Sequence, residues 1–181
     1  MNVSGKPMRT IWPSADGVAV EIIDQTKLPH SFETVRLETL ADAAHAIKAM
    51  LVRGAPLIGA TAAFGMWLGL RDDPSDSALS RHHMLLAETR PTAINLRWAL
   101  DRVVKAVSPL APEKRAAAAH ELAVEICDGD VAINRAIGAA GLEIIREIAA
   151  RKPSGEAVNV LTHCNAGWLA TVDWGTATAP I

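Results

Sequence analysis

The stretch Gly54–Leu70, GAPLIGATAAFGMWLGL, decides how the rest of this chain is read. It carries no charge over 17 residues and is bracketed by Arg53 and Arg71, at the lower limit for a membrane-spanning helix. It also holds Pro56 and the glycines Gly54, Gly59, Gly65 and Gly69, small residues that let neighbouring helices approach closely. We therefore read a buried core helix from about Pro56 to Leu70 rather than a membrane span. Pro56 suits a first helical turn, so Arg53-Gly54-Ala55-Pro56 is a short break between two helices.

Toward the N-terminus, a helix from about Leu40 to Val52 precedes that break. Before it, Ile11 and Trp12, then Val18, Val20 and Ile22, then Phe32, Val35 and Leu37 suggest a β-meander burying one face, with Asp16-Gly17 as a hairpin turn. Toward the C-terminus, Asp72 to Asp76 is a polar loop, and a helix runs from about Ser80 to Arg90-Pro91. Pro91 starts another, in which Leu96, Leu100, Val103 and Val107 form a core-facing stripe until Pro109 and Pro112 end it. Glu113 to Arg151 is alanine-rich and helical, with Ile133, Ile137, Ala140, Ile144 and Ile148 on one face and Asp128-Gly129-Asp130 as a potential bend. Lys152-Pro153-Ser154-Gly155 breaks the pattern, and the apolar run Val158 to Leu161 reads as a buried strand. The expected fold class is α/β: a β-meander and helical domain over residues 1–152, then the start of a second α/β domain over 153–181, incomplete because one strand cannot bury a parallel sheet.

Composition narrows the function. Half the residues are hydrophobic against 21% charged, enough apolar material for a real core. The net charge is −2 and the 18 Lys and Arg form no basic run, which argues against nucleic acid as a partner. Met1 to Thr10 has basic residues without an apolar segment behind them, so no secretory signal is visible. Cys127 and Cys164 are too few and too far apart for a disulfide framework or a thiolate zinc site, and suit a reducing cytoplasm.

Leu161-Thr162-His163-Cys164-Asn165-Ala166-Gly167 is the most informative segment for chemistry. Residues leaving a buried strand for a helix sit where open α/β sheets bind ligands. With Asn165 as helix cap, Cys164 would feel exposed backbone N–H groups that lower a thiol pKa and attract anions. The plainer alternative is a cysteine packed as a small hydrophobe. His163 and Cys164 are neighbours on a strand and point to opposite faces, so they make a poor hydrolase pair. His30, His45, His82, His83 and His120 carry no spacing signal, and no ligand pair backed by a second pair points to a metal. Arg53-Gly54-Ala55 and Arg90 stand at two helix entrances, where guanidinium and backbone N–H groups could clamp a phosphate; either arginine could equally be solvated or structural.

Five blocks then form a recognisable series: Asp24–Pro29, Val52–Gly59, Arg90–Leu96, Ile133–Gly138 and Leu161–Gly167. In this order the chain resembles the methylthioribose-1-phosphate isomerases, part of the initiation factor 2B alpha/beta/delta-like family, in their N-terminal portion. The resemblance implies a Rossmann-like second domain, a homodimer when full length, and conversion of 5-methylthioribose 1-phosphate to 5-methylthioribulose 1-phosphate with no metal or organic cofactor. It implies substrate contacts for Arg53, Gly54 and Ala55, phosphate binding for Arg90, and a role for Cys164 as transition-state stabiliser or acid/base partner. The family's catalytic aspartate, a glutamine and an Asn-Lys pair come from a C-terminal half not in this sequence, so the chain resembles a fragment expected to be inactive alone. Ribose-1,5-bisphosphate isomerase, and the regulatory subunits of the translation-initiation exchange factor acting as a non-catalytic scaffold, are the rival expectations. The sugar-isomerase expectation depends on whether Arg53, Arg90 and Cys164 meet at one cleft.

Overall fold

A computed structural model describes residues 1–164 and 166–181. It opens with a hairpin that no alternation in the sequence announces. Strands β1 (Asn2–Val3) and β2 (Lys6–Pro7) pair across Ser4 and Gly5, whose φ angles of 49° and 80° give the left-handed turn such short loops need. The expected meander follows as β3 (Ile11–Pro13), β4 (Val20–Ile23) and β5 (Thr34–Leu37), antiparallel in that order, with Ile22 opposite both Ile11 and Val35. Ile11, Val20, Ile22 and Leu37 are buried, whereas Val18 and Phe32 lie outside the strands and are exposed.

Helix α1 (Leu40–Lys48) starts on a capping box: the Asp42 N–H donates to Thr39 Oγ1 at 3.1 Å, and the Asp42 carboxylate accepts the Thr39 N–H at 2.9 Å. It stops short of Val52 because Met50 turns left-handed, with φ at 60°. Helix α2 (Ala55–Asp72) is the centre of the molecule, buried at every residue from Leu57 to Leu70. Helices α1, α3, α4 and α5 pack around it. Close approach needs small residues here: a Cβ on Gly59 would stand 2.9 Å from the Asn95 carbonyl oxygen of α4. No helix among the described residues is long and apolar enough to cross a membrane.

Helix α3 (Asp76–Ala87) begins before Ser80, since the Ser75 hydroxyl caps it by accepting the Ala78 N–H at 3.2 Å. Helix α4 (Ile94–Val107) starts at Ile94, not at Pro91; the intervening residues form a turn closed by the Ala93 N–H on the Arg90 carbonyl at 3.0 Å. Its stripe Leu96, Leu100, Val103 and Val107 is fully buried, as expected. Arg115, only 3% exposed, donates to the carbonyls of Pro74, Ser108 and Leu110 and so ties three helix ends together.

Two expectations are corrected. Helix α5 (Pro112–Ala150) runs unbroken through Asp128-Gly129-Asp130, and its isoleucine row does not face a core: Ile133 is 63%, Ile137 41%, Ile144 61% and Ile148 42% exposed. Ala119, Ala123, Ile126 and Cys127 pack against the body, but farther along only Asn134 and Gly138 are buried. The strand expected at Val158 to Leu161 is not formed, and Val160 and Leu161 are exposed. A lone strand has nowhere to place its backbone hydrogen bonds, and the described residues offer no neighbour to pair it.

After this segment the backbone returns to the body in a 3₁₀ turn, Trp168–Ala170. The Thr10 N–H donates to the Val172 carbonyl at 3.0 Å, the Thr10 hydroxyl donates to the Thr171 carbonyl at 2.5 Å, and the Val172 N–H donates to Asp130 Oδ2 at 2.7 Å. These bonds fix residues 170–173 between the meander and α5.

Candidate active site

Those bonds set one wall of a cleft of about 390 Å³ lined by Gln25, Leu28, Pro29, Arg53, Cys164, Ala166, Gly167, Leu169 and Ala170. The opposite wall is the Asp24–Pro29 loop. Asp24, 6% exposed, shapes it by accepting the Thr26 N–H at 2.9 Å and the Thr26 hydroxyl at 2.6 Å. Gln25 then reaches across: its N–H donates to the Leu51 carbonyl at 3.0 Å and its side-chain Nε2 to the Leu169 carbonyl at 2.7 Å. The loop, the α1–α2 connection and the 3₁₀ turn are thereby locked together.

Gly54 is where α2 meets this wall. Its φ of 91° is a left-handed conformation, and a Cβ there would lie 2.4 Å from both Cα and O of Ala170. Only glycine satisfies both constraints. No side chain caps the N-terminus of the 18-residue α2, and Arg53, exposed and lining the cleft, stands just before its N-cap Gly54 and first residue Ala55. Among the described residues of the lining, Arg53 is the one that carries a charge.

Cys164 lines the same cleft and is exposed, with φ at 67°, an uncommon conformation for a residue with a side chain. The chain's other thiol is of another kind: burial pushes Cys127 up to about 12, which leaves it an inert packing group. The proposed cap Asn165 lies outside the described residues. Arg90 is half-buried in the α3–α4 connection and is not among the lining residues, so Arg53 and Cys164 share the cleft while Arg90 does not join them. Ala55, the first residue of α2, is exposed beside Gly54 but is likewise not a lining residue.

No histidine lines the cleft among the described residues, which leaves Cys164 without a base for hydrolase chemistry. His120 stacks edge-on with Trp67 at 4.5 Å between ring centroids, and His83 meets Asp101 at 3.1 Å on the surface. Gln25, Leu28, Pro29 and Leu169 are cleft residues that spacing alone did not single out. The one available signal was a polar residue, Gln25, inside the Asp24–Pro29 block.

Comparison with known proteins places this geometry. Over its whole length the chain is 59% identical to the methylthioribose-1-phosphate isomerase of Rhodospirillum rubrum, of which it covers 47%. It covers 48% of the 5-methylthioribose 1-phosphate isomerase structure from Pyrococcus horikoshii, with 96% of this chain aligned, 36% identity and a TM-score of 0.79. It matches the translation initiation factor eIF-2B subunit delta from A. fulgidus about equally, at 35% identity and a TM-score of 0.80, with 96% of this chain and 50% of that one aligned. The chain thus spans about half the length of the curated relatives it matches. Residues 51–175 match the initiation factor 2 subunit family, a span from the Arg53 break through the 3₁₀ turn that builds most of the cleft. On that match the chain belongs to the initiation factor 2 subunit family.

Proposed function

We propose that this chain provides the phosphate-binding and cysteine-bearing half of a methylthioribose-1-phosphate isomerase site. The observation that carries the proposal is the meeting of Arg53 and Cys164 at one cleft, in a chain 59% identical to such an isomerase. Arg53 would hold the phosphate, with Gly54 and Ala55 beside it as further substrate contacts. Leu28, Pro29 and Leu169 supply apolar wall, which suits a methylthio group better than the second phosphate of ribose 1,5-bisphosphate. Arg90 would reach the phosphate side from outside the present lining.

The anomeric oxygen of this aldose is phosphorylated, so the ring must open before isomerisation. The bond from C1 to the ring oxygen breaks and that oxygen takes a proton. C2 loses its hydrogen and C1 gains one, whether by hydride shift or through an enediol, and the C2 hydroxyl loses its proton as C2 becomes the carbonyl. Cys164 would face the reacting carbons and stabilise the developing charge or relay a proton. The aspartate that the resemblance assigns as acid belongs to a second half, so the 181-residue chain alone binds substrate without turnover. A division at residues 152 and 153, a Rossmann-like second domain, a homodimer of the full-length protein and a cytoplasmic setting belong to the same proposal.

Titration of the chain with 5-methylthioribose 1-phosphate tests it. Binding that weakens at least tenfold in Arg53→Ala, and slower alkylation of Cys164 in its presence, are expected. Turnover comparable to a full-length isomerase would overturn the incomplete-site claim. Absence of sugar-phosphate binding, with co-purification of translation factors, would favour the scaffold role suggested by the likeness to subunit delta.

A further inference from the structure

The isoleucine row of α5 has the spacing of a core face and no core. Ile133, Ile137, Ile144 and Ile148 recur at helical intervals and are 41–63% exposed. Single exposed hydrophobic residues are ordinary on protein surfaces; four in register on one helix mark an interaction face. The adjoining face of α5 is already occupied, since Cβ atoms on Gly138 and Gly141 would touch Ala179 and Pro180. The row is the apolar part of a helix half that is exposed on most of its other positions as well. Beside it, Glu143 pairs with Arg146 at 2.7 Å and Glu147 with Arg151 at 3.9 Å, an apolar centre with a charged rim. After α5, Val160 at 49% and Leu161 at 99% exposed leave two further apolar residues uncovered in the segment that leads to Cys164.

We infer that this row is the seat of the second half that the longer relatives carry, whether that half arrives on the same polypeptide or as a separate one. The isomerase relatives align with this chain over its whole length and are about twice as long. A second half that packs on the first would use apolar residues not already in its core, and the α5 row offers four of these in register on one helix. The inference rests on family membership and not on the sugar-phosphate assignment, so the two fail separately.

The test joins the second half of the Rhodospirillum rubrum isomerase to the chain after Ile181 and compares it with the 181-residue chain alone, both carrying Ile144→Cys. Maleimide labelling at position 144 is followed by peptide mass, which separates it from Cys127 and Cys164. Labelling at least tenfold slower in the joined protein is expected. Equal rates overturn the proposal whether or not the joined protein turns over substrate. Protection already present in the chain alone and lost on dilution also overturns it, because a second copy would then hold the face. As an independent measurement, the second half is co-expressed as a separate tagged polypeptide. It should retain the chain, and Ile137→Glu with Ile144→Glu should abolish retention while leaving the chain's helical circular dichroism unchanged. Retention unaffected by the double substitution would overturn the assignment to this face. Slow labelling without turnover would leave the docking face standing and remove the isomerase assignment.

Discussion

Helix α2 is buried at every residue from Leu57 to Leu70, while the isoleucine row in the second half of α5 is 41–63% exposed. Both were expected in a core, α2 because its run is free of charge and rich in small residues, the α5 row because its isoleucines recur at helical spacing. What separates them is the supply of partners. Four helices close around α2, and its glycines admit them, whereas the second half of α5 runs on beyond the elements that cover its first half. Periodicity reports which face a helix can bury, not what buries it.

The sharpest way to break this comparison is to empty the α2 core. Phe64 is 1% exposed and packs edge-on against Trp67 at 6.0 Å and His120 at 6.2 Å between ring centroids. Phe64→Ala should destabilise the chain by about 3–5 kcal/mol, read from urea unfolding at neutral pH. A loss below about 1 kcal/mol would mean that the centre of the bundle is loosely held.

Next in size is the junction of α2 with the cleft. Gly54→Ala demands both a left-handed alanine and displacement of Ala170, and should cost about 2–4 kcal/mol. Because the displaced residue lies on the cleft wall, alkylation of Cys164 should change rate in the same variant. A folded variant with unaltered Cys164 reactivity would show that Gly54 does not position the wall.

A smaller effect comes from the carboxylate that anchors Val172. Burial holds Asp130 above the usual carboxylate range; the Val172 N–H and Asn134 pull it back only in part, and nearby Asp173 adds to the rise. For an acid raised in the folded state, the fold binds the proton more tightly than the unfolded chain does. This contribution to stability therefore falls as pH rises from the ordinary aspartate value through the folded one, then levels off. Asp130→Asn removes that slope and keeps an acceptor for Val172. Urea midpoints of the two proteins should diverge in the variant's favour as pH climbs from about 4 toward neutrality. Parallel midpoints over that interval would place Asp130 in solvent.

The meander, the central helix and the α4 stripe were legible in the sequence because their patterns are local and their partners lie within the chain. Helix boundaries at Val52, Ser80 and Pro91 moved for equally local reasons: a left-handed Met50, the Ser75 cap and the Arg90–Ala93 turn. Of the candidate site, Arg53 and Cys164 were singled out at a helix entrance and a strand-to-helix junction before the motif blocks repeated them, and both line one cleft, while Arg90 stands apart from its lining. Gln25 was not found, since its bond to the Leu169 carbonyl joins positions 144 residues apart and leaves no trace in spacing. The Val158–Leu161 strand misled for the same reason as the α5 row, an apolar pattern whose partners are not among the described residues.

The smallest predicted effect bears most directly on that point. Ile144 is 61% exposed, so Ile144→Ala should shift the stability of the 181-residue chain by less than about 0.5 kcal/mol. An isoleucine in a completed core loses about 2–5 kcal/mol on the same change. The gap between those figures measures how much of this residue's environment lies outside the chain. Urea unfolding of the substituted chain decides it, and a loss approaching that of a buried isoleucine would show that α5 is already covered in solution and that its second half is core after all.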